Sequence, residues 1–165
     1  MRHIVWAPWR GTYITGEKPV SACVFCDIFK SPDDKNNYLL YRGNHTFIIM
    51  NLYPYNNGHL MIVPIRHTAD ILTLDKNEFE ETTVLMRRSI KAIKETMSAE
   101  GFNVGYNLGS AAGAGIDAHI HLHIVPRWNG DTNFMPVISE TKVISEHITD
   151  TYNKLAKFFC IMEGL

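Results

Sequence analysis

Three histidines alternate with apolar residues in the last third of the chain, at His119, His121 and His123. Because successive side chains leave a β-strand on opposite faces, this alternation predicts a strand with three imidazoles on one face. Same-face neighbours lie roughly 6.5–7 Å apart at ~3.3 Å rise per residue, a separation suited to gripping one extended anion. Histidines on a merely solvated face are the alternative, but the small residues before the strand and Pro126-Arg127 after it favour a shaped pocket.

The three imidazoles suggest chemistry at phosphorus. A neutral imidazole is a competent nucleophile near pH 7, since its unperturbed pKa is about 6.5, and a covalent intermediate divides one displacement into two easier steps. The middle residue, His121, is best placed as the nucleophile. His123 would then donate hydrogen bonds to phosphoryl oxygens or help the leaving group depart, which leaves His119 free to act as a ligand. Binding of one catalytic zinc by all three histidines stays open as an alternative.

A loop of small residues, 109–115, lies directly before the histidines. Backbone N–H groups of small residues can approach an anion closely, so the loop is a candidate phosphate-binding nest. Loops of this kind are more often plain turns, and the signal gains weight only from its neighbours. Together with the three histidines and Arg127, the loop predicts a concave site for a phosphorylated ligand.

The cysteines indicate a metal site rather than disulfides. Cys23 and Cys26 form a C-x-x-C, and the total of three cysteines gives no disulfide framework. In a reducing compartment a C-x-x-C is a metal half-site or a redox pair, and the Trp/Pro-rich residues before it are unlike a redox motif. With His67 and His119 it makes a plausible closed Cys₂His₂ zinc site. Two unligated cysteines and a surface His67 remain alternatives.

Two other residues have structural interpretations. His59 follows Gly58 at the start of an apolar run, and we predict a buried histidine bonded to the backbone rather than a catalytic group. Cys160 stands between Phe159 and Ile161, where a small apolar side chain is expected in the core.

Length and composition predict one domain over 1–165, in which 1–22 form an irregular arm pinned by aromatic side chains. A formal charge of −1 and a pI near 6.7 give no general attraction to nucleic acid or an anionic membrane. The apolar runs are far shorter than the ~20 residues of a spanning helix. Because the N-terminus lacks the features of a signal peptide, we expect a cytoplasmic protein.

Hydrophobic periodicity predicts short strands, for which an antiparallel order is expected, and two helices. Five strands are expected, at 38–41, 46–50, 59–64, 102–107 and the histidine segment. A long helix is predicted from Asp75 to Glu100, begun by a capping box of Asp75 with Glu78 and ended by Gly101. A terminal helix is predicted over 142–160. The core-facing stripe of the long helix is Phe79, Thr82, Met86, Ile90, Ile93 and Met97, and that of the terminal helix is Ile144, Ile148, Tyr152, Leu155 and Phe159.

The histidine pattern followed by Pro126-Arg127 resembles the histidine triad, or HIT, family of nucleotide hydrolases and transferases. The resemblance covers most of the chain, because further residues fall in the family's order: Cys23-x-x-Cys26, Asn51, Gly58-His59, Pro64, His67 and Asn107-x-Gly109. It implies an α+β fold with a five-stranded antiparallel sheet, a homodimer and nucleoside phosphate substrates, with a nucleotidyl-histidine formed on His121. Zinc-containing members of the family bind the metal through the residues at the positions of Cys23, Cys26, His67 and His119.

The resemblance also implies residues that contact the nucleotide. The position of Asn51 contacts the ribose hydroxyls, and other positions approach the phosphates: Asn107, Gly113, His119 and His123. Members that hydrolyse dinucleoside triphosphates have Gln four residues before the first triad histidine, where this chain has Gly115. The 113–116 run, the 126–134 tail and the 6–10 arm instead resemble the Ap4A phosphorylase-like branch, in which phosphate takes AMP from the histidine. Asn133 and the 109–115 loop, with Gly113 and Gly115, are expected to help hold the longer phosphate chain in that branch.

The expected activity is therefore Ap4A + phosphate giving ADP + ATP. A hydrolase of dinucleoside polyphosphates or of AMP conjugates such as phosphoramidates is the second hypothesis. A nucleotide-binding module without turnover is the third.

Overall fold

The computed structural model describes residues 23–131 and 144–162. The predicted arm, 1–22, and Asn133 lie outside the described residues. The helices are α1 (Val24–Lys30), α2 (Lys76–Met97) and α3 (Ile148–Met162), and the strands are β1 (Leu39–Arg42), β2 (Thr46–Met50), β3 (Leu60–Pro64), β4 (Gly101–Tyr106) and β5 (Leu122–Arg127). Short 3₁₀ turns occur at Ile71–Thr73 and Ser110–Ala112. No helix in these two ranges is long and apolar enough to cross a membrane.

The five strands form one antiparallel sheet in the order β1-β2-β3-β5-β4, which confirms the predicted fold. Consecutive strands are neighbours except at β5, which enters between β3 and β4. In β3, Leu60 pairs with Ile124 and Met61 pairs with His123. In β4, Gly105 pairs with the same histidine. The histidine-bearing strand is therefore held from both sides.

Both faces of β2, β3 and β5 are buried, because residues of these strands alternate between two cores, whereas β4 at the edge of the sheet is partly exposed. Even-numbered residues of β2, β3 and β5 pack beneath α2 and α3, as Ile62 and Ile124 do. Odd-numbered residues such as Ile49 and Met61 pack on the opposite face with Cys23 and Phe25 at the start of α1. This second core supports the histidine face. The sequence analysis did not predict α1, since seven residues are too few to show a helical period.

Helix α2 begins as predicted and ends earlier. The Asp75 side chain accepts from the Glu78 N–H and the Glu78 side chain accepts from the Asp75 N–H, so the capping box is confirmed. The left-handed residue at the end is Ser98, with φ 53°, whereas Gly101 is already the first residue of β4; the predicted glycine stop is wrong. Phe79 is 53% exposed, so the buried stripe lies about one position around the helix from the predicted one.

The terminal helix contributes three fully packed residues of its predicted stripe, Tyr152, Leu155 and Phe159. Its first described helical residue is Ile148, and Ile144 precedes the helix. Cys160 is exposed, so its predicted place in the core is wrong. The reason is helical spacing: a residue directly after the buried Phe159 lies about 100° around the helix from it.

Candidate active site and metal centre

The three triad histidines do not all lie on one regular strand. Strand β5 begins at Leu122, so His123 is within it while His119 and His121 precede it. The Ile120 N–H donates to the Thr68 carbonyl at 2.7 Å, outside the ladder that joins β5 to β4. The rings of His121 and His123 lie 4.6 Å apart, whereas the ring of His119 lies 5.0 Å from that of His67. The segment thus serves two sites rather than one.

His121 is held as a neutral imidazole with one nitrogen available. Its Nδ1 lies 2.8 Å from the His119 carbonyl oxygen. A carbonyl can only accept, so Nδ1 carries the hydrogen and Nε2 carries the lone pair. Burial lowers the pKa of His121, and the bond to that carbonyl opposes the shift in part. Attack at phosphorus needs this form of the ring, with the lone pair on Nε2.

A chain of hydrogen bonds fixes the proton on His123. The Tyr55 backbone N–H donates to Nδ1 of His59 at 3.1 Å, so the hydrogen of His59 lies on Nε2. That Nε2–H donates to Nδ1 of His123 at 3.0 Å, which leaves the His123 hydrogen on Nε2. We call Tyr55 N–H, His59 and His123 the histidine chain. Its direction makes His123 a hydrogen-bond donor towards the site.

Burial keeps both rings of the histidine chain neutral. His59 has no exposed surface, and its burial, followed by the nearby His123 and His121, lowers its pKa to about 3. Burial and the neighbouring His121 lower the pKa of His123 to about 4. At pH 7 each ring therefore has one hydrogen, and the order of donors and acceptors along the chain is unique.

His59 combines the predicted environment with a contact that the sequence analysis did not anticipate. It is buried and bonded to the backbone, as predicted, and it also binds a triad histidine directly. The available signal was its position at the start of a strand whose residues pair with β5. Register could not be read from the sequence, so the pairing of Met61 with His123 was not foreseeable.

The two asparagines predicted to bind the nucleotide lie at opposite ends of the histidine chain. The Asn51 amide nitrogen is 3.3 Å from Nδ1 of His59, and its Oδ1 accepts from the Tyr53 N–H. The Asn107 amide nitrogen is 3.4 Å from Nε2 of His123. Since the histidine chain makes that Nε2 a donor, two donors face each other. Among the described residues neither donor has an acceptor, a position for which a phosphoryl oxygen is suited.

The predicted phosphate loop is exposed and partly bonded to itself. Gly109 and Gly113 have φ of 79° and 85°, values that residues with a side chain rarely adopt. The Gly113 N–H donates to the Ser110 carbonyl at 3.0 Å, and the Ala114 N–H lies 3.4 Å from the Gly109 carbonyl. Gly115 is exposed just before the histidine segment. The Ala112 N–H also donates to the Gly109 carbonyl, at 3.1 Å, so a nest at this loop must use N–H groups other than these three.

Arg127 does not join the predicted anion site. Its guanidinium binds the Asp131 carboxylate at 2.6 and 2.9 Å, and it also donates to Oδ1 of Asn103 at 3.0 Å. Arg127 pairs with Gly101 at the far end of β5, four residues and about 13 Å along the strand from His123. Its role is to fix the turn that follows the strand.

Cys23, Cys26, His67 and His119 form a compact group, here called the metal cluster. One ligand atom from each residue lies within 4.8 Å of the others. Nδ1 of His119 is 3.2 Å from Sγ of Cys23 and 3.3 Å from Nδ1 of His67, and Sγ of Cys26 is 3.4 Å from that nitrogen of His67. Two sulfurs and two nitrogens are the donor set of structural zinc.

The electrostatics of the metal cluster fit a cation. Nε2 of His119 donates to the Pro64 carbonyl at 2.8 Å, so Nδ1 turns a lone pair towards the cluster. Burial, then its contact with Cys23, raises the pKa of the Cys26 thiol, because a second thiolate nearby is unfavourable. A bound cation reverses that preference by stabilising both thiolates. When bound, zinc would supply folding stability here rather than reactivity, since all four ligands come from the protein.

His119 was predicted both as a metal ligand and as a phosphate-binding residue. It has no exposed surface, its Nδ1 faces the metal cluster and its Nε2 binds Pro64. Both ring nitrogens are thus engaged. A contact between this residue and a phosphate must come from its backbone.

A cavity of about 830 Å³ lies beside the end of the sheet, between the 51–58 loop and the start of α3. Asn51 and His59 are among its lining residues, together with Tyr38 and Tyr53. None of the triad histidines is among the described residues that line it. The cavity therefore adjoins the His59 end of the histidine chain.

Comparisons with known proteins agree with this geometry. The family model described as the HIT domain matches residues 33–130. An AP-4-A phosphorylase of Mycobacterium tuberculosis is 38% identical over 161 residues, which cover 92% of this chain and 82% of that protein.

Two solved structures are similar in fold. A Zn-bound histidine triad family protein of Mycobacterium smegmatis has a TM-score of 0.69 at 25% identity, covering 87% of this chain and 96% of that one. A diadenosine triphosphate hydrolase of Plasmodium falciparum, in complex with cyclomarin A, has a TM-score of 0.59 at 16% identity and covers 78% of each chain. With the family model matching more than half of its residues, the chain belongs to the HIT family.

Proposed function

We propose that the protein is a nucleotidyl transferase that acts on dinucleoside polyphosphates and converts Ap4A and phosphate into ADP and ATP. The observation that carries this proposal is the hydrogen bond from Nδ1 of His121 to the His119 carbonyl, which leaves a lone pair on Nε2 of a buried, neutral ring. Membership of a family of nucleotide hydrolases and transferases supports the substrate class. The 38% identity to an AP-4-A phosphorylase supports phosphate as the acceptor.

The first step forms a bond between Nε2 of His121 and the α-phosphorus and breaks the bond from that phosphorus to the bridging oxygen. ATP leaves and AMP remains on the histidine. As the imidazole gains positive charge, its Nδ1–H donates more strongly to the His119 carbonyl, which stabilises the intermediate. In the second step an oxygen of inorganic phosphate attacks the same phosphorus, the P–N bond breaks and ADP is released.

We assign the phosphoryl oxygens to the paired donors at Nε2 of His123 and the amide of Asn107. Asn51 is assigned to the ribose hydroxyls. Gly113, Gly115, Asn133 and the His119 backbone are assigned to the phosphate chain on the strength of the family resemblance. His123 also donates to the departing oxygen, and the histidine chain keeps its hydrogen on the correct nitrogen.

The deciding experiment incubates Ap4A with and without phosphate and identifies the products by mass. The proposal expects ADP and ATP in equal amounts and turnover that depends on phosphate. AMP and ATP formed without phosphate would show a hydrolase of dinucleoside polyphosphates. Turnover of adenosine phosphoramidates alone would show a hydrolase of AMP conjugates. Either result would favour the second hypothesis. His121→Asn should lower turnover at least about 10³-fold while nucleotide binding persists, because it removes the nucleophile and little else. Retained turnover in that variant contradicts the proposal.

Structural zinc, a homodimer and a cytoplasmic location complete the proposed description. The donor set of the metal cluster supports zinc, and cysteine thiolates as ligands require a reducing compartment. For the dimer the support is β4, which lies at the edge of the sheet with Asn103, Val104 and Gly105 exposed. Metal analysis of the purified protein and its mass in solution test these points. We also propose that residues 1–165 form a single domain that binds nucleotides rather than nucleic acid or membranes.

A further inference from the structure

We propose that the metal cluster positions the nucleophile, through the Phe25 ring that packs against His121 and through the His119 carbonyl that binds it. This inference rests on the proposed role of His121 and extends it. It makes Phe25 a positioning residue and gives a structural metal a measurable effect on the reacting ring.

The first connection is the Phe25 side chain. Phe25 lies between the two cysteines of the metal cluster, in the same turn at the start of α1, and is 2% exposed. Its ring centroid is 5.0 Å from that of His121 at 53°, and 5.6 Å from that of His119 at 80°. Since Cys23 and Cys26 flank it in the chain, fixing both sulfurs on one ion also fixes the backbone from which this ring projects.

The second connection is the backbone of His119. Its Nδ1 lies in the metal cluster, 3.2 Å from Sγ of Cys23, while its carbonyl oxygen is 2.8 Å from Nδ1 of His121. Ligation therefore constrains the residue whose carbonyl determines which nitrogen of the nucleophile has the hydrogen. Both connections end on the same ring.

The required precision makes this effect measurable. In-line attack needs the reacting nitrogen near 3–3.5 Å from phosphorus, and a misplacement of 1 Å can cost about 10²-fold in rate. Replacing Phe25 with Leu keeps an apolar side chain but removes the flat surface against His121. The ring of His121 then has more freedom to rotate, while the four ligand atoms and the donors for the phosphates are unchanged.

Helix α1 offers a matched control. Phe29 is one turn further along, and its ring packs on Phe47 at 5.2 Å, in the same core but against no triad histidine among the described contacts. Phe29→Leu removes the same atoms from the same helix. A general loosening of α1 should appear in both variants, and denaturant unfolding of each corrects for the deeper burial of Phe25 than of Phe29.

The experiment compares the wild-type protein, Phe25→Leu and Phe29→Leu, each loaded with zinc. Three quantities are measured: kcat and KM for Ap4A, zinc per chain, and the nitrogen chemical shifts of the imidazoles, which report where the hydrogen resides. His121→Asn assigns the His121 signal. Wild-type protein from which a chelator has removed the zinc is measured by the same nitrogen shifts.

The proposal expects kcat of Phe25→Leu to fall roughly 10-fold relative to Phe29→Leu, with KM within about 2-fold and zinc retained. It also expects the His121 signal to move towards a mixture of the two neutral ring forms in Phe25→Leu and in zinc-free protein.

Equal kcat in the two variants, with His121 shifts that do not differ, overturns the proposal. A rise in KM at unchanged kcat also overturns it, because Phe25 would then contact the substrate instead of positioning the ring. If the wild-type protein shows no turnover of Ap4A, the proposed function fails. The dependence of the His121 signal on Phe25 and zinc then decides this inference independently.

Discussion

The metal cluster and the histidine chain lie within a few residues of each other along the chain. Both are built from imidazoles, but they arrange the donor and acceptor nitrogens in opposite ways. In the metal cluster, lone pairs converge: Nδ1 atoms of His67 and His119 face each other at 3.3 Å with the two sulfurs beside them. In the histidine chain, donors and acceptors alternate from Tyr55 N–H through His59 to His123. Convergent acceptors need a cation, whereas an alternating chain needs no ion and fixes a proton on its last nitrogen, Nε2 of His123.

Burial alone does not distinguish the histidines of the metal cluster from those of the histidine chain. The direction of their hydrogen bonds does. His119 and His59 are both fully buried, and burial lowers the pKa of each. What differs is where the remaining nitrogen points. The Pro64 carbonyl directs a lone pair of His119 into the metal cluster, while the Tyr55 N–H directs the hydrogen of His59 towards His123.

The largest effect is expected from breaking the metal cluster. Cys26→Ser should abolish stoichiometric zinc binding and lower the free energy of unfolding by about 4 kcal/mol when free zinc is a thousandfold above the dissociation constant. Cys160→Ser is the control, because that cysteine is exposed and far along the chain in α3. Zinc per chain and denaturant unfolding are the measurements. Equal zinc content and equal stability in Cys26→Ser and Cys160→Ser would show that Cys26 binds no metal.

A smaller effect is expected from interrupting the histidine chain. His59→Asn should lower kcat by up to about 10²-fold, since His123 loses the donor that keeps its hydrogen on Nε2. The acidic limb of the rate profile should move to higher pH, because Nδ1 of His123 becomes free to take a proton. The control is His147→Asn, an exposed histidine at the start of α3 whose helix-capping bond asparagine can replace. An unchanged profile in His59→Asn argues against the assigned direction of the chain.

The histidine chain should also make folding sensitive to acid. The pKa of His123 is about 4 when folded and near 6.5 when unfolded, so the unfolded chain binds more protons between these values. Stability is therefore complete above pH 6.5 and declines as pH falls towards 4. At pH 5 we expect a loss of roughly 1–2 kcal/mol relative to pH 8 from this residue. The wild-type protein should lose that much more than His123→Asn, with zinc present throughout; parallel curves would contradict it.

The smallest effect concerns the segment that carries His67. Arg66 binds Glu78 through two hydrogen bonds of 2.9 and 2.7 Å and donates to the Thr73 carbonyl, and Glu78 is 3% exposed. Arg66→Ala should lower stability by about 1 kcal/mol and weaken zinc binding several-fold, because the loop beside the ligand loosens. Arg127→Ala removes a similar two-bond pair with Asp131, at the far end of β5 from the triad histidines. Competition with a chelator distinguishes the two; equal zinc affinity would mean that Arg66 stabilises the fold alone.

Much of the fold followed from the sequence because local patterns determine it. The apolar runs of β2 and β3 and the capping box of Asp75 are readable from residue types, and the five-stranded antiparallel sheet followed from the family resemblance. The four residues of the metal cluster were also predicted, since sulfur and imidazole at these spacings have few other uses.

The remaining features depend on tertiary contacts that no local pattern encodes. Strand β5 starts at Leu122 because the ladder with β4 stops there, and His119 turns instead towards the metal cluster. Arg127 is held by Asp131, four residues later in a turn whose shape the sequence did not predict. Phe25 was not singled out, because only the folded chain brings a phenylalanine of α1 against His121.

The four ligands of the metal cluster differ in what else depends on them. His119 is buried, and its Nδ1, Nε2 and carbonyl oxygen contact Cys23, Pro64 and His121. His67 is exposed at the edge of the metal cluster. Substitutions meant to change the metal preference of this cluster should therefore begin at His67. Exchanging His67 for a thiol or a carboxylate changes the hardness of the donor set from the solvent side and leaves in place the His119 carbonyl that binds Nδ1 of His121.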